Sequence, residues 1–180
     1  MNNPLNTIGI DIKQIEEYAV KGNVDAQYMF ATCYDKGYGV EQNNELAFFW
    51  YERAAEQGDS NAQHALGLCY DIGKGVDQSY EKAFYWYKKS ASLGNPKAQY
   101  NLASCYEEGQ GVEQDLKRAF YWYQKSANQG LVSAWCVLGY FYANGIGVEK
   151  DIPSAIHWFT LAAEQGHPEA VKNLELLNKK

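Results

Sequence analysis

The sequence predicts an all-α fold, an α/α solenoid built from helix-turn-helix repeats. The first observation is the length, because 180 residues are five times 36. The second is a set of ladders in which one residue type recurs every 36 positions without insertion or deletion. The clearest ladders are Ala26, Ala62, Ala98, Ala134 and Ala170, and Trp50, Trp86, Trp122 and Trp158. The third observation is the helical spacing of apolar residues within each repeat.

Each repeat contains two amphipathic helices. In the first helix Ala26, Phe30 and Tyr34 lie four residues apart and therefore share one face. The second helix carries a similar stripe, which consists of Ala47, Trp50, Tyr51, Ala54 and Ala55. The position after Phe30 is alanine or glycine in all four repeats, which lets a neighbouring helix approach closely. We expect both stripes to be buried, and this burial accounts for the aromatic content of 15%.

Polar residues mark where the helices begin. The position before each second helix is occupied by strong N-cap residues, namely Asn43, Ser79, Asp115 and Asp151. The matching position before the first helices is occupied by Asn23, Asp59 and Asn95. Leu131 and His167 occupy it in the last two cases, so we expect these two helices to be less firmly capped.

The ladders divide residues 1–180 into one solenoid domain with four full repeats between two half-repeats. Residues 11–22 align with a second helix and form the N-terminal cap. The full repeats are 23–58, 59–94, 95–130 and 131–166, and residues 167–180 form a C-terminal capping helix. Lys172, Asn173 and Glu175 give this last helix the polar outer face that a terminal cap needs.

The repeat pattern resembles that of a known family. Its residues in the second repeat are Ala62, Leu66, Gly67, Tyr70, Gly73, Gly75, Val76, Ala83, Trp86, Tyr87, Ser90, Ala91 and Gly94. This pattern, over about residues 11–180, resembles the Sel-one-like repeat, a relative of the tetratricopeptide repeat. The resemblance implies a right-handed superhelix whose first helices line a concave face. It also implies a scaffold or adaptor, often in bacterial cell-envelope, secretion or host-interaction settings.

The cysteines depart from the pattern of cysteine-rich relatives, which carry two per repeat and staple the two helices. Here Cys33, Cys69 and Cys105 supply one per repeat, and Cys136 lies at a different repeat position. Packed helices stand ~9–10 Å apart, which is beyond the reach of a disulfide. We therefore expect reduced, buried thiols and a reducing compartment.

Charge and hydropathy exclude several classes of partner. The formal net charge of −6 argues against nucleic acid, whose binding draws on clustered positive charge. No apolar run approaches the ~20 residues that a membrane span requires. The N-terminal sequence lacks a signal-peptide pattern, which predicts a cytoplasmic protein and leaves signal-independent secretion open. We expect a monomer with no cofactor.

Three motifs invite a chemical interpretation, and a structural one is favoured for each. Gly-x-Gly-Val recurs four times, but it lacks the strand and lysine of a phosphate loop, so it predicts a tight turn. Ser79 and Lys82 match the Ser-x-x-Lys string of penicillin-interacting enzymes, yet Ser79 occupies the N-cap position. The histidines, His64, His157 and His167, show no metal-ligand spacing. The sequence therefore predicts a protein that is not an enzyme.

The candidate binding surface lies where the repeats differ, on the side of the first helices opposite the apolar stripe. With the geometry that the resemblance implies, these positions line the concave groove. The predicted partner-binding residues are Tyr28, Met29, Thr32, Asp35, His64, Leu68, Asp71, Tyr100, Asn101, Ser104, Glu107, Glu108, Val137, Tyr140 and Asn144. Asp35, Asp71 and Glu107 form an acidic row that would attract a basic peptide or a protein with a basic patch. A simple solvated helix face is the alternative.

The leading functional hypothesis is a protein–protein interaction scaffold or adaptor. A bacterial immunity protein that sequesters a toxin, or a secreted effector that binds host proteins, is a variant of this hypothesis. A weak β-lactam hydrolase, by analogy with cysteine-rich relatives, is less favoured because no nucleophile stands with a base in the sequence.

Overall fold

The computed structural model describes residues 11–178, and every regular element in this range is a helix. The helices in chain order are α1 (Ile12–Val20), α2 (Val24–Lys36), α3 (Asn44–Glu56), α4 (Ser60–Ile72), α5 (Tyr80–Ser92), α6 (Pro96–Glu108), α7 (Leu116–Asn128), α8 (Val132–Asn144), α9 (Ile152–Glu164) and α10 (Pro168–Asn178). The predicted all-α fold is confirmed. The N-terminal segment that was assessed for a signal peptide lies outside the described residues.

The predicted helix caps are confirmed. The Oδ1 atom of Asn43 accepts a hydrogen bond from the Leu46 amide at 2.9 Å, and Asp59 Oδ1 accepts one from the Ala62 amide at 2.6 Å. Leu131 makes no side-chain cap bond, as expected. At the start of α8, the Ala134 amide donates to the Leu131 carbonyl oxygen at 2.9 Å, so a backbone acceptor takes the place of the side-chain cap of α2, α4 and α6.

The Gly-x-Gly turns are structural, as the sequence predicts. Gly75 has a φ of +73°, and a Cβ atom there would lie 2.2 Å from the carbonyl oxygen of Asn44. Gly147 has a φ of +64°, and its Cβ would lie 2.1 Å from the carbonyl oxygen of Leu116. Only glycine permits both this backbone conformation and this approach to the helix of the preceding repeat.

The described residues group into two compact units that divide between Leu93 and Gly94. The first unit contains α1 to α5, with a core cluster that includes Ile15 and Phe30. Within one repeat of this unit, α4 and α5 are joined where the Ser90 hydroxyl donates to the Ser60 carbonyl oxygen at 2.6 Å.

The second unit contains α6 to α10 and repeats the same contacts. The Ser126 hydroxyl donates to the Pro96 carbonyl oxygen at 2.7 Å, which reproduces the Ser90 contact one repeat later. The core cluster near the end of this unit includes Cys136, Phe159 and Ala170. The capping helix α10 therefore packs on α8 and α9 through apolar residues.

Close helix packing explains the position that is always alanine or glycine. A Cβ atom on Gly67 would lie 2.5 Å from a ring carbon of Tyr87, and one on Gly139 would lie 2.6 Å from the ring of Phe159. The aromatic ring of the second helix therefore lies directly against the backbone of the first helix. The prediction that small residues serve this approach is confirmed.

The aromatic residues are only partly core, which differs from the expectation. All four ladder tryptophans are half-buried. The residue before the tryptophan is exposed in several repeats, with Tyr85 50% and Tyr121 49% exposed. The Lys89 ammonium lies 4.8 Å from the ring centroid of Tyr85, and the Lys125 ammonium lies 5.5 Å from that of Tyr121. The residue next to the ladder tryptophan points about 100° away from it on the helix and therefore lies outside the buried stripe.

The thiols agree with the prediction. Cys33, Cys69, Cys105 and Cys136 are all buried thiols. Burial raises the pKa of each thiol for which a shift is resolved, and that of Cys69 reaches about 11. The cysteines therefore pack as small hydrophobic residues.

Candidate functional site

In the first unit, the predicted site residues stand against the rings of the second helices. The ring centroids of Tyr28 and Tyr51 are 5.8 Å apart, and those of His64 and Tyr87 are 6.0 Å apart. The Thr32 hydroxyl donates to the Tyr28 carbonyl oxygen at 2.9 Å. These side chains are half-buried rather than fully exposed, so only part of each is available to a partner.

Two further predicted residues of this unit differ in their surroundings. Met29 packs on the core cluster of Ile15 and Phe30 and lines a small pocket near the N-terminal cap. Leu68 is exposed, as expected for a contact residue.

The first carboxylate of the predicted acidic row is neutralised by lysines. Asp35 forms an ion pair with Lys36, whose Nζ lies 2.8 Å from Oδ2, and a second ion pair with Lys74. Burial acts to raise the pKa of Asp35, but the hydrogen bonds from the two lysines outweigh it and lower that pKa. Two cations offset the charge of Asp35, so this end of the expected acidic row does not present a free carboxylate.

The other two carboxylates of the row accept hydrogen bonds from buried tyrosines. The Tyr87 hydroxyl donates to Asp71 Oδ2 at 3.0 Å, and the Tyr123 hydroxyl donates to Glu107 Oε2 at 2.7 Å. Burial first, and then the bond to Glu107, raise the pKa of Tyr123. A buried hydroxyl needs an acceptor, so each carboxylate has a structural role in addition to its charge.

The fourth repeat replaces both members of this pair. Phe159 stands where the other repeats have tyrosine, and Ala143 stands where they have aspartate or glutamate. The hydroxyl and its acceptor are therefore lost together, which leaves no buried polar group without a partner.

Six predicted site residues of the second unit line one pocket of about 290 Å³, named here the acidic pocket. These residues are Tyr100, Ser104, Glu107, Glu108, Val137 and Tyr140. The rest of the wall is formed by Tyr123, Cys136, Glu169 and Asn173. Residues that are up to 40 positions apart in the sequence are thus brought together as predicted from their shared face.

Negative charge is concentrated at the acidic pocket. Its described lining includes Glu107, Glu108 and Glu169 and no lysine or arginine. Burial, followed by Glu107, raises the pKa of the Tyr100 phenol, and Glu108 and Glu169 act in the same direction. All three carboxylates line the same pocket as this phenol, which places them around one small volume.

Glu108 is held in place by two local hydrogen bonds. The Ser104 hydroxyl donates to Oε1 of Glu108 at 3.3 Å, and the Gln110 amide donates to Oε2 at 2.7 Å. Both donors are neutral, so the carboxylate keeps its charge.

Sequence reasoning missed the contribution of α10. Glu169 and Asn173 both lie on this helix and line the acidic pocket. Asn173 lies 36 residues after Val137 and 72 after Asn101, so it continues a row of predicted site residues by one more repeat. The 36-residue spacing pointed to Asn173, but the predicted row of site residues ended at the fourth repeat because the last helix was interpreted only as a cap.

A second and larger pocket adjoins the first, and we call it the apolar pocket. It has a volume of about 510 Å³, and its wall contains the predicted site residue Asn144. Its lining residues are Tyr140, Ala143, Asn144, Lys150, Ile152, Phe159, Asn173, Leu176 and Leu177. Tyr140 and Asn173 belong to the walls of both pockets. Of the predicted residues in this unit, Asn101 is half-buried and lines neither pocket.

The structure gives the Ser79 motif a capping geometry. The Ser79 hydroxyl oxygen lies 3.3 Å from the Lys82 amide, which donates to it, and the hydroxyl donates to Glu81 at 3.1 Å. Within residues 11–178, no group of three or more histidine, cysteine or acidic side chains is arranged to hold a metal ion. No helix in this range combines the length and the apolar character needed to cross a membrane.

The paired helices, the turn glycines and the recurring packing define a helical-repeat protein of the tetratricopeptide-like class. The Sel1 repeat family model matches residues 24–59, 60–95, 96–131 and 136–167. The chain belongs to the Sel1 repeat family. The resemblance and the fold class inferred from the sequence are thereby confirmed.

Solved structures with the same fold come from several bacteria. A protective antigen of uropathogenic Escherichia coli with an SLR fold is 38% identical at a TM-score of 0.89, and the match covers 92% of this chain and 35% of that one. A Sel1 repeat protein from Oxalobacter formigenes is 39% identical at a TM-score of 0.84, and the match covers 92% of this chain and 48% of that one. The match therefore covers less than half of either relative.

A third comparison shows the fold alone. An immunity protein of Pseudomonas aeruginosa is 21% identical at a TM-score of 0.56, over 88% of this chain and 59% of that one. None of the curated proteins compared with this chain matches it significantly. Sel1 repeat proteins are generally non-enzymatic protein-interaction scaffolds, which is the functional class that the family supports.

Proposed function

We propose that this protein is a scaffold or adaptor that holds a protein or peptide partner through a basic side chain in the acidic pocket. The observation that carries the proposal is the convergence of Glu107, Glu108 and Glu169 around the Tyr100 phenol. The absence of a cation among the described lining residues leaves this charge for a partner to neutralise.

Arginine suits this pocket better than lysine. Its planar guanidinium presents five N–H donors in a fixed fork, so it can bond two carboxylates at once. A hydrogen bond between charged groups contributes about 1.5–3 kcal/mol, and removal of one partner loses much of this. The half-buried ring of Tyr100 adds a surface on which the stem of the side chain can pack.

The remaining sequence-based expectations belong to the same proposal. The predicted residues of the first unit, including Tyr28, His64 and Leu68, are proposed as further contacts for an extended partner. The division into four full repeats between half-repeat caps is retained as a proposal. We also propose a monomeric, non-enzymatic protein of the cytoplasm, where a reducing environment suits its four buried thiols.

The test is an NMR titration of the ¹⁵N-labelled full chain with a heptapeptide that has one central arginine in a Gly-Ser background. We expect the largest amide shifts at residues lining the acidic pocket, and no binding by the same peptide with citrulline, which is neutral and of similar shape. Binding should also weaken with salt, because charge attraction is screened.

Two variants locate the binding. The double variant Glu108→Gln/Glu169→Gln should bind the arginine peptide at least about tenfold more weakly, since two charged partners of the guanidinium are lost. Glu175→Gln is the matched control, because Glu175 lies exposed on the same helix as Glu169 and lines neither pocket. Equal binding of the arginine and citrulline peptides would refute the proposal.

A further inference from the structure

We infer that the partner carries a large apolar side chain beside its basic one, and that the apolar pocket receives it. The inference rests on the proposed function, because the basic residue in the acidic pocket anchors the partner. It adds a second requirement, which is that the partner carries a basic and a large apolar side chain next to each other.

Continuity of the two pockets supports this inference. Tyr140 and Asn173 form part of both walls, so no other residue layer separates the two volumes along these side chains. Tyr140 is 50% exposed, and its ring therefore offers a surface to a chain that passes from one pocket to the other. At about 510 Å³, the apolar pocket has room for one aromatic or long aliphatic side chain.

The change of residues in the fourth repeat explains why the pocket is apolar at this place. In the third repeat the carboxylate of Glu107 occupies this position and accepts the bond from Tyr123. In the fourth repeat Ala143 is too short to fill the same space, and Phe159 presents a ring without a hydroxyl. The substitution pair thus converts a polar wall into an apolar one, which Leu176 extends with a side chain that is 52% exposed.

Charge fixes which side chain goes into which pocket. Among the described residues that line the apolar pocket, Lys150 alone is charged. A second basic side chain would be repelled by Lys150, whereas the three glutamates attract one in the acidic pocket. The basic residue therefore has one place to bind, and the apolar residue takes the other.

The test uses fluorescein-labelled peptides in a Gly-Ser background that carry one arginine and one phenylalanine, separated by zero, one or two glycines. Anisotropy is measured against the full chain. At the spacing that matches the pockets, we expect binding at least about tenfold tighter than that of the peptide with arginine alone, because the ring leaves water. Replacing phenylalanine with a second arginine should give no such gain.

A matched pair of variants assigns the gain to the apolar pocket. Leu176→Ser should remove most of the gain from phenylalanine and leave the arginine-only peptide unchanged. Val171→Ser is the control, because Val171 is exposed on the same helix and lines neither pocket. Circular dichroism of both variants checks that they fold alike.

The outcomes separate this inference from the proposed function. If phenylalanine adds nothing at any spacing, or if both serine variants behave alike, the apolar-pocket inference is overturned while arginine-dependent binding still supports the proposed function. If the citrulline form of the arginine–phenylalanine peptide binds as well as the arginine form, a basic side chain does not anchor the partner. In that case the proposed function is refuted together with this inference.

Discussion

Replacing Leu93 with glutamine is expected to raise the free energy of unfolding by about 1 kcal/mol. The reason lies at Gln63, which is only 5% exposed. Its amide Nε2 donates to the Ala55 carbonyl oxygen at 3.1 Å, but its Oε1 is buried without a hydrogen-bond partner. A buried acceptor that is left unpaired costs free energy, because it has lost its water and gained nothing in return.

The equivalent glutamines in neighbouring repeats have the missing donor. The Gln57 amide donates to Gln27 Oε1 at 2.7 Å, and the Gln129 amide donates to Gln99 Oε1 at 2.8 Å. Residue 93 lies 36 positions after Gln57, so a glutamine there would stand at the same place in the repeat.

The expected change in the free energy of unfolding combines the gain of one hydrogen bond with a small loss of apolar burial. An intramolecular hydrogen bond contributes about 0.5–1.5 kcal/mol net, and satisfying a buried acceptor lies toward the upper end of this range. Leu93 is 58% exposed, so its replacement gives up little apolar burial. A gain of about 1 kcal/mol corresponds to a rise in Tm of roughly 2–4 °C for a chain of this size.

Urea denaturation followed by circular dichroism measures the effect. Leu93→Met is the control, since it is apolar, similar in size and unable to donate. If the glutamine and methionine variants have the same free energy of unfolding, the reasoning from the repeat is refuted. The converse variant, Gln57→Leu, should lower stability by a similar amount because it leaves Gln27 Oε1 without its donor.

Two other predictions concern stability. Leu131→Asn should stabilise the protein by about 0.5 kcal/mol in urea denaturation, because its side chain would offer the Ala134 amide a better acceptor than the Leu131 carbonyl oxygen, to which that amide now donates at 2.9 Å; no gain would mean that the backbone bond already satisfies this amide. For Cys69, the pKa of about 11 in the folded protein exceeds the ~8.5–9 of an unfolded thiol. Its stabilising contribution is therefore complete below about pH 8.5 and is lost as the pH rises toward 11. Over this pH range, the free energy of unfolding should fall less steeply in Cys69→Ala than in the unchanged protein. Equal slopes would contradict the assignment of this pH dependence to Cys69.

Much of the fold could be predicted because it repeats and because its signals are local. An N-cap such as Asp59 bonds an amide three residues away, so its role is visible in a short stretch of sequence. A turn glycine such as Gly75 is marked by its recurrence, although the contact with Asn44 that requires it appears only in three dimensions.

The candidate site was predictable in part. The shared face of the first helices correctly grouped Tyr100, Ser104 and Tyr140 in one pocket. The same reasoning could not assign the state of each carboxylate, because Asp71 and Glu107 bond to tyrosines that lie 16 residues further along the chain. Such pairs depend on how two helices face each other, which the period of a single helix does not contain.

The sequence by itself determined the period of 36, the order of the helices, and the position of their caps. The tertiary structure alone decided where negative charge remains available. Asp35 and Glu107 look equivalent in the repeat, yet Lys74 neutralises the first, whereas Glu108 and Glu169 reinforce the second. The physical reason is that electrostatic interaction depends on distance in space, and Lys74 and Glu169 come from other repeats than the carboxylates they act on.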